Sequence, residues 1–152
     1  MTKLPLTLLA AATLLYGTDA AAHCQIPCGI YGDHARVDAM REDAQTIAKS
    51  VKLINQLAKK RDAQSQNQLV RWVNNKEQHA EKIMRTIADY FMAQKIKPPA
   101  AKDQKSHKPY MDQLARHHAV MVAAMKCKQT ASDKAVKELQ RAIEGIAGYW
   151  KK

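Results

Sequence analysis

The sequence predicts an all-α protein, an up-down bundle of four helices. Three observations predict it. Apolar residues recur at spacings of three and four over most of the chain, the period of one helix face. Strand-like alternation is found nowhere. Gly and Pro number five each, too few for a turn-rich β fold. Aromatic residues make up 5%, so the core is expected to be aliphatic.

The first helix is expected over Arg36 to Asp62, with Asp33 as its N-cap. Its apolar face carries Val37, Met40, Ala44, Ile47, Val51, Ile54 and Ala58. A polar stretch from Asp62 to Asn67 follows. The second helix runs from about Gln68 to Lys95 on Leu69, Trp72, Val73, Ala80, Ile83, Ile87, Tyr90 and Phe91. It ends before Pro98 and Pro99, which cannot continue it. Ala100 to Pro109 reads as a basic connection. The third helix, about Tyr110 to Lys128, buries Leu114, His117 or His118, Met121, Val122 and Met125. The fourth, about Ser132 to Trp150, buries Val136, Leu139, Ala142, Ile143 and Ile146. Thr130 and Ser132 are cap candidates, and Asp133 suits the first-turn dipole.

Residues 1–22 read as a secretory leader. Lys3 is a short positive start, and Leu4 to Tyr16 is apolar but too short to span a bilayer. Ala20-Ala21-Ala22 offers a cleavage site. The expected mature domain is 23–152, exported to a periplasm or beyond, with no membrane attachment after processing. Cleavage removes Lys3 and Asp19 and leaves the net charge at +11. Such a field attracts anions. The basic residues are scattered, without a stacking or base-reading face, so no nucleic-acid partner is expected. There is no Gly-rich phosphate loop, no hydrolase elbow and no paired-carboxylate arrangement. Three cysteines do not make a disulfide scaffold.

The predicted cut makes His23 the first residue of His23-Cys24-Gln25-Ile26-Pro27-Cys28-Gly29-Ile30-Tyr31. The freed amine of His23 and the backbone nitrogen of Cys24 can close a five-membered chelate ring on a metal. The Cys24 nitrogen and its own thiolate close a second. The Cys28 thiolate can return to a fourth planar position. Pro27 stiffens the turn, and Gly29 permits a conformation closed to other residues. The His23 imidazole is left for an axial approach. A planar set of two nitrogens and two sulfurs points to nickel or copper rather than zinc. An amidate and two thiolates donate strongly and favour one-electron chemistry. A plain Cys24–Cys28 disulfide is the bland alternative, and a non-catalytic nickel or copper carrier is another.

The nine-residue string resembles the nickel hook of the nickel-containing superoxide dismutase family. His23, Cys24, Pro27, Cys28, Gly29 and Tyr31 all match. The four-helix body is similar as well. The resemblance implies one nickel ion per subunit, held by His23, Cys24 and Cys28, with the His23 imidazole axial in the oxidised state. It implies disproportionation of superoxide to dioxygen and hydrogen peroxide. It places Tyr31 over the open face of the metal and a cis bond at Ile26-Pro27. A carboxylate early in the first helix would hold the axial imidazole, and Asp38 is the nearest, an Asp where the family has Glu. In Lys76-Glu77-Gln78-His79 the family often has a basic partner at the place of His79. Asp89-Tyr90-Phe91 also resembles a family string, with Tyr90 near a neighbouring hook. The resemblance implies a homohexamer. A Sec-type leader is not the usual family pro-segment.

Other residues attract bland readings. His117 and His118 point about 100° apart on a helix and do not share a ligand face. His34 and His107 read as solvated link residues, Met121 and Met125 as core. Lys59-Lys60-Arg61 reads as a solvated helix end, and Cys127 as a small buried residue.

Overall fold

The computed structural model describes residues 32–150. The predicted leader (1–22) and the segment 23–31 lie outside the described residues. Four helices follow in order: α1 (Gly32–Leu57), α2 (Ala63–Arg85), α3 (Gln104–Gln129) and α4 (Asp133–Ala147). After Arg85, α2 runs on as a π-helical stretch, Thr86–Lys95. No strand occurs among the described residues. The chain is the predicted four-helix bundle. Cross-helix bonds fix the direction of each neighbour. Ser50 meets Asn75 and Asp43 meets His79, so α1 and α2 run antiparallel. Lys76 reaches the Cys127 carbonyl, Lys126 reaches Glu138, and Arg41 reaches Glu144. Each helix is thus antiparallel to the next, and α4 closes against α1.

The core of α1 follows the predicted face. Val37, Met40, Ala44, Ile47, Val51 and Ile54 are all buried. A fully buried residue such as Ile47 contributes about 1.5–3 kcal/mol relative to an exposed one. Ala58 lies past the helix end and is exposed. From α4, Val136, Leu139, Ile143 and Ile146 are buried as expected. Ala142 only packs against the edge of the core.

Several boundaries differ from the expectation; α1 ends at Leu57 rather than Asp62, and α4 at Ala147 rather than Trp150. Asp33 lies inside the first turn of α1 rather than capping it. α2 begins at Ala63, with Asp62 as the N-cap accepting from the Ser65 amide; its first turn is polar on every face and leaves no apolar period to read. α3 begins at Gln104 and includes Pro109. The Asp103 carboxylate accepts from the Ser106 amide and starts the helix early. Pro109 sits near enough to the start to cost only one exposed backbone bond. Ser132 is the N-cap of α4, while Thr130 ends α3.

The buried face of α3 is also rotated from the expected one. It carries His117, Val120, Ala123, Ala124 and Cys127. Val122 is 41% exposed and Met125 37%. Small side chains let α3 approach its neighbours closely, and the larger Met and Val face outward. On α2, Leu69 and Trp72 are only half-buried and Val73 is exposed.

Candidate metal centre

His23, Cys24, Cys28 and Tyr31 lie outside the described residues. The structure describes the end of the bundle to which their segment is attached. Gly32 opens α1 at φ +69°, a left-handed conformation that a side chain would strain. The next two residues are each tied to a distant part of the chain. The Tyr90 hydroxyl donates to Asp33 Oδ1. Lys95 Nζ lies 3.0 Å from the same oxygen. The Arg36 guanidinium stands 5.5 Å from the Tyr90 ring centroid, within cation–π range. His34 Nδ1 lies 3.1 Å from the Trp150 carbonyl oxygen, and its Nε2 is 3.4 Å from Asp38 Oδ2.

Asp38 is half-exposed and accepts from Arg41 Nη1 at 2.7 Å. Arg41 also grips Glu144 on α4 through Nε and Nη2, each at 2.7 Å. That fork holds the Glu144 carboxyl below its ordinary range.

The resemblance names Asp38 as the nearest carboxylate for the axial imidazole and puts His79 at the place of the family's basic partner. The structure pairs each with a different partner. His79 Nδ1 lies 2.7 Å from Asp43 Oδ1, and Lys82 Nζ is 3.0 Å from that oxygen. The antiparallel register sets residue 79 opposite residue 43. Asp38 lies five residues nearer the N-terminus, about 7.5 Å along the helix. Tyr90 is buried beside Phe91, their rings edge to face at 5.1 Å. Its described partner is Asp33 of its own chain.

Asp33, Asp43 and Lys95 were missed as members of this end of the molecule. Asp43 carried a signal: an acid at the buried phase of α1, matched by His79 and Lys82 three apart on α2. Lys95 carried none, because only a π-helical turn brings it to Asp33.

Competing donors can be checked one by one. Among the described residues, no group of three His, Cys, Asp or Glu is placed to hold a metal. His117 is fully buried, with Nδ1 on the Gln113 carbonyl and Nε2 accepting from the Trp150 indole at 3.0 Å. Both ring nitrogens are occupied, and burial pushes its pKa below the usual value. Cys127 is buried, and desolvation pushes its thiol up to about 11, so it is no thiolate at neutral pH. It lies beside Lys76, fourteen residues of α2 or about 21 Å from Tyr90. Outside the described residues, the sequence places Cys24 and Cys28 beside His23, nitrogen and thiol donor types that suit nickel.

The family model described as nickel-containing superoxide dismutase matches residues 18–152. No curated protein and no solved structure matches the chain.

Proposed function

The chain belongs to the nickel-containing superoxide dismutase family, and from that premise we propose that His23, Cys24 and Cys28 hold the nickel. The enzyme is an oxidoreductase that converts superoxide to dioxygen and hydrogen peroxide. When bound, nickel supplies the one-electron chemistry by cycling between its +2 and +3 states. The assignment of ligands is carried by one observation: the string His23-Cys-x-x-Pro-Cys-Gly-x-Tyr31 stands inside the matched span.

In this reading the His23 amine and imidazole, the Cys24 amide nitrogen and the Cys24 and Cys28 thiolates would hold the metal, and Tyr31 would order small molecules beside it. Asp38, steadied by Arg41 and His34, would be the carboxylate that holds the His23 imidazole. His79 acts one step removed, through Asp43 between α1 and α2. Tyr90 supports the base of the hook. The net charge of +11 draws the substrate anion toward the protein. Removal of residues 1–22 by a signal peptidase would free the amine and export the chain to a periplasm or beyond. The assembly is a homohexamer of bundles.

Intact mass of the mature protein, under native and denaturing conditions, tests the assignment. It should show a chain beginning at His23, one nickel per chain and six chains per particle. Dismutase activity should follow the nickel content. A mature chain that begins elsewhere removes the amine from the set and overturns the ligand assignment.

A further inference from the structure

The first turn of α1 and the π-helical stretch meet in a triad of Asp33, Tyr90 and Lys95. Tyr90 is 1% exposed, and its hydroxyl donates to Asp33 Oδ1. Lys95 Nζ is 3.0 Å from the same oxygen and 5.8 Å from the Tyr90 ring centroid. On an α-helix, residues five apart point about 140° from each other. Tyr90 and Lys95 would then face different neighbours. A π-helical turn bonds residues five apart and stacks them. The Ile96 amide, bonded to the Phe91 carbonyl at 2.9 Å, is such a bond. The irregular backbone is what brings Lys95 onto Asp33. Turns of this kind are rare and concentrate at functional sites. Asp33 stands two residues after Tyr31.

We propose that Asp33 is a positioning residue for the metal centre, fixing the Tyr90 phenol and the Lys95 ammonium at the base of the nickel-binding segment. The proposal rests on the ligand assignment made above. Asp33 acts through Tyr90 and Lys95. Its Oδ1 accepts from both the phenol and the Lys95 ammonium, so the two groups keep one arrangement.

The test uses the full-length chain, processed and loaded with nickel. Asp33→Ala, Asp33→Asn, Tyr90→Phe and the double variant Asp33→Ala/Tyr90→Phe are compared with wild type. The readouts are nickel content, the electron paramagnetic resonance spectrum of the oxidised metal, and kcat and KM taken separately. Asn keeps an acceptor oxygen for the phenol and loses only the charge. At one nickel per chain, Asp33→Ala and Tyr90→Phe should displace the spectrum in the same direction. Each should lower kcat by about tenfold, the lower end for loss of a group supporting metal ligands. The double variant should be no worse than either single one, and Asp33→Asn should keep the wild-type spectrum. A nickel-loaded Asp33→Ala protein with wild-type spectrum and kcat overturns the proposal, whatever its melting temperature. So does a double variant whose loss is the product of the single losses. If Asp33→Ala does not fold, the contrast between Asp33→Asn and Tyr90→Phe decides. Wild type lacking both nickel and activity overturns the ligand assignment itself, and the proposal falls with it.

Discussion

His79 Nδ1 lies 2.7 Å from Asp43 Oδ1, and Asp43 is only 2% exposed. A carboxylate this deep between two helices needs its partners. Lys82 supplies the second at 3.0 Å but is itself 61% exposed. The other carboxylate oxygen, Oδ2, is buried and has no hydrogen-bond partner among the described residues. Asp43 thus depends on contacts to Oδ1 alone.

Removing those partners should therefore expose the cost of the buried carboxylate. Lys82→Ala should destabilise by less than about 1 kcal/mol, because the ammonium is solvated. Removing His79 and Lys82 together should cost about 3 kcal/mol, the range for a buried charge left without a partner. Adding Asp43→Leu to that double variant should restore most of the loss. Urea unfolding followed by circular dichroism measures all three. A double variant as stable as wild type would show that Asp43 does not depend on these partners.

Lys76 makes a second buried polar anchor. Its ammonium donates to the Cys127 and Lys128 carbonyls at 2.5 and 2.6 Å and to Glu77 at 2.7 Å. These carbonyls belong to the last turn of α3, where no helical partner remains for them. Lys76→Met fills much the same space and leaves the carbonyls unsatisfied. It should destabilise by about 2 kcal/mol, with faster hydrogen exchange at the end of α3. Unchanged exchange there would mean that water replaces the ammonium without penalty.

How much of this was legible follows from the signals involved. The face of α1 was readable because Val37 to Ile54 keep one apolar period without interruption. The rotation of α3 was not, since Met121, Val122 and Met125 outweigh Ala123 and Ala124 on any hydrophobicity scale. Only close packing favours the small side chains. Asp62 and Asp103 as caps were hidden in polar runs that resemble loops. At the candidate site, the proposed ligands His23, Cys24 and Cys28 rest on the sequence alone, because chelate chemistry is local in sequence. The roles of Asp33, Asp43 and Lys95 depend on register between helices, which no local spacing encodes.

His117 gives the bundle an acid sensitivity. Burial lowers its pKa from the ordinary 6.5. Unfolded, the same group takes a proton near pH 6.5. Between that value and its lower folded pKa, the unfolded chain binds more protons, so stability falls as pH falls. The stabilising share of the neutral ring is complete above about pH 6.5 and is lost below it. The indole of Trp150 donates to this ring, so its fluorescence reports the event. His117→Gln should flatten the fall in stability below pH 6.5. An equal slope in the two proteins would assign the acid sensitivity elsewhere.

The ligand assignment makes a sharper demand on the first residue than on the rest of the chain. The proposed set uses the amine of His23, which is free only when no residue precedes it. One Ala added before His23 converts it to an ordinary amide, with almost no change in mass or charge. The hydrophobic core lies between Val37 and Trp150, so the extension should leave the melting temperature of the metal-free bundle unchanged. Nickel content and dismutase activity should both fall, by at least a hundredfold in activity if the amine is required. His23→Ala with a free amine is the complementary variant. It keeps the planar donors and removes the axial imidazole, so it should still bind nickel but lose the nitrogen signature of the oxidised metal. Metal analysis and electron paramagnetic resonance on the two proteins read both effects. An extended chain that keeps full nickel and activity would refute the amine as a ligand and leave the thiolates to a different donor set.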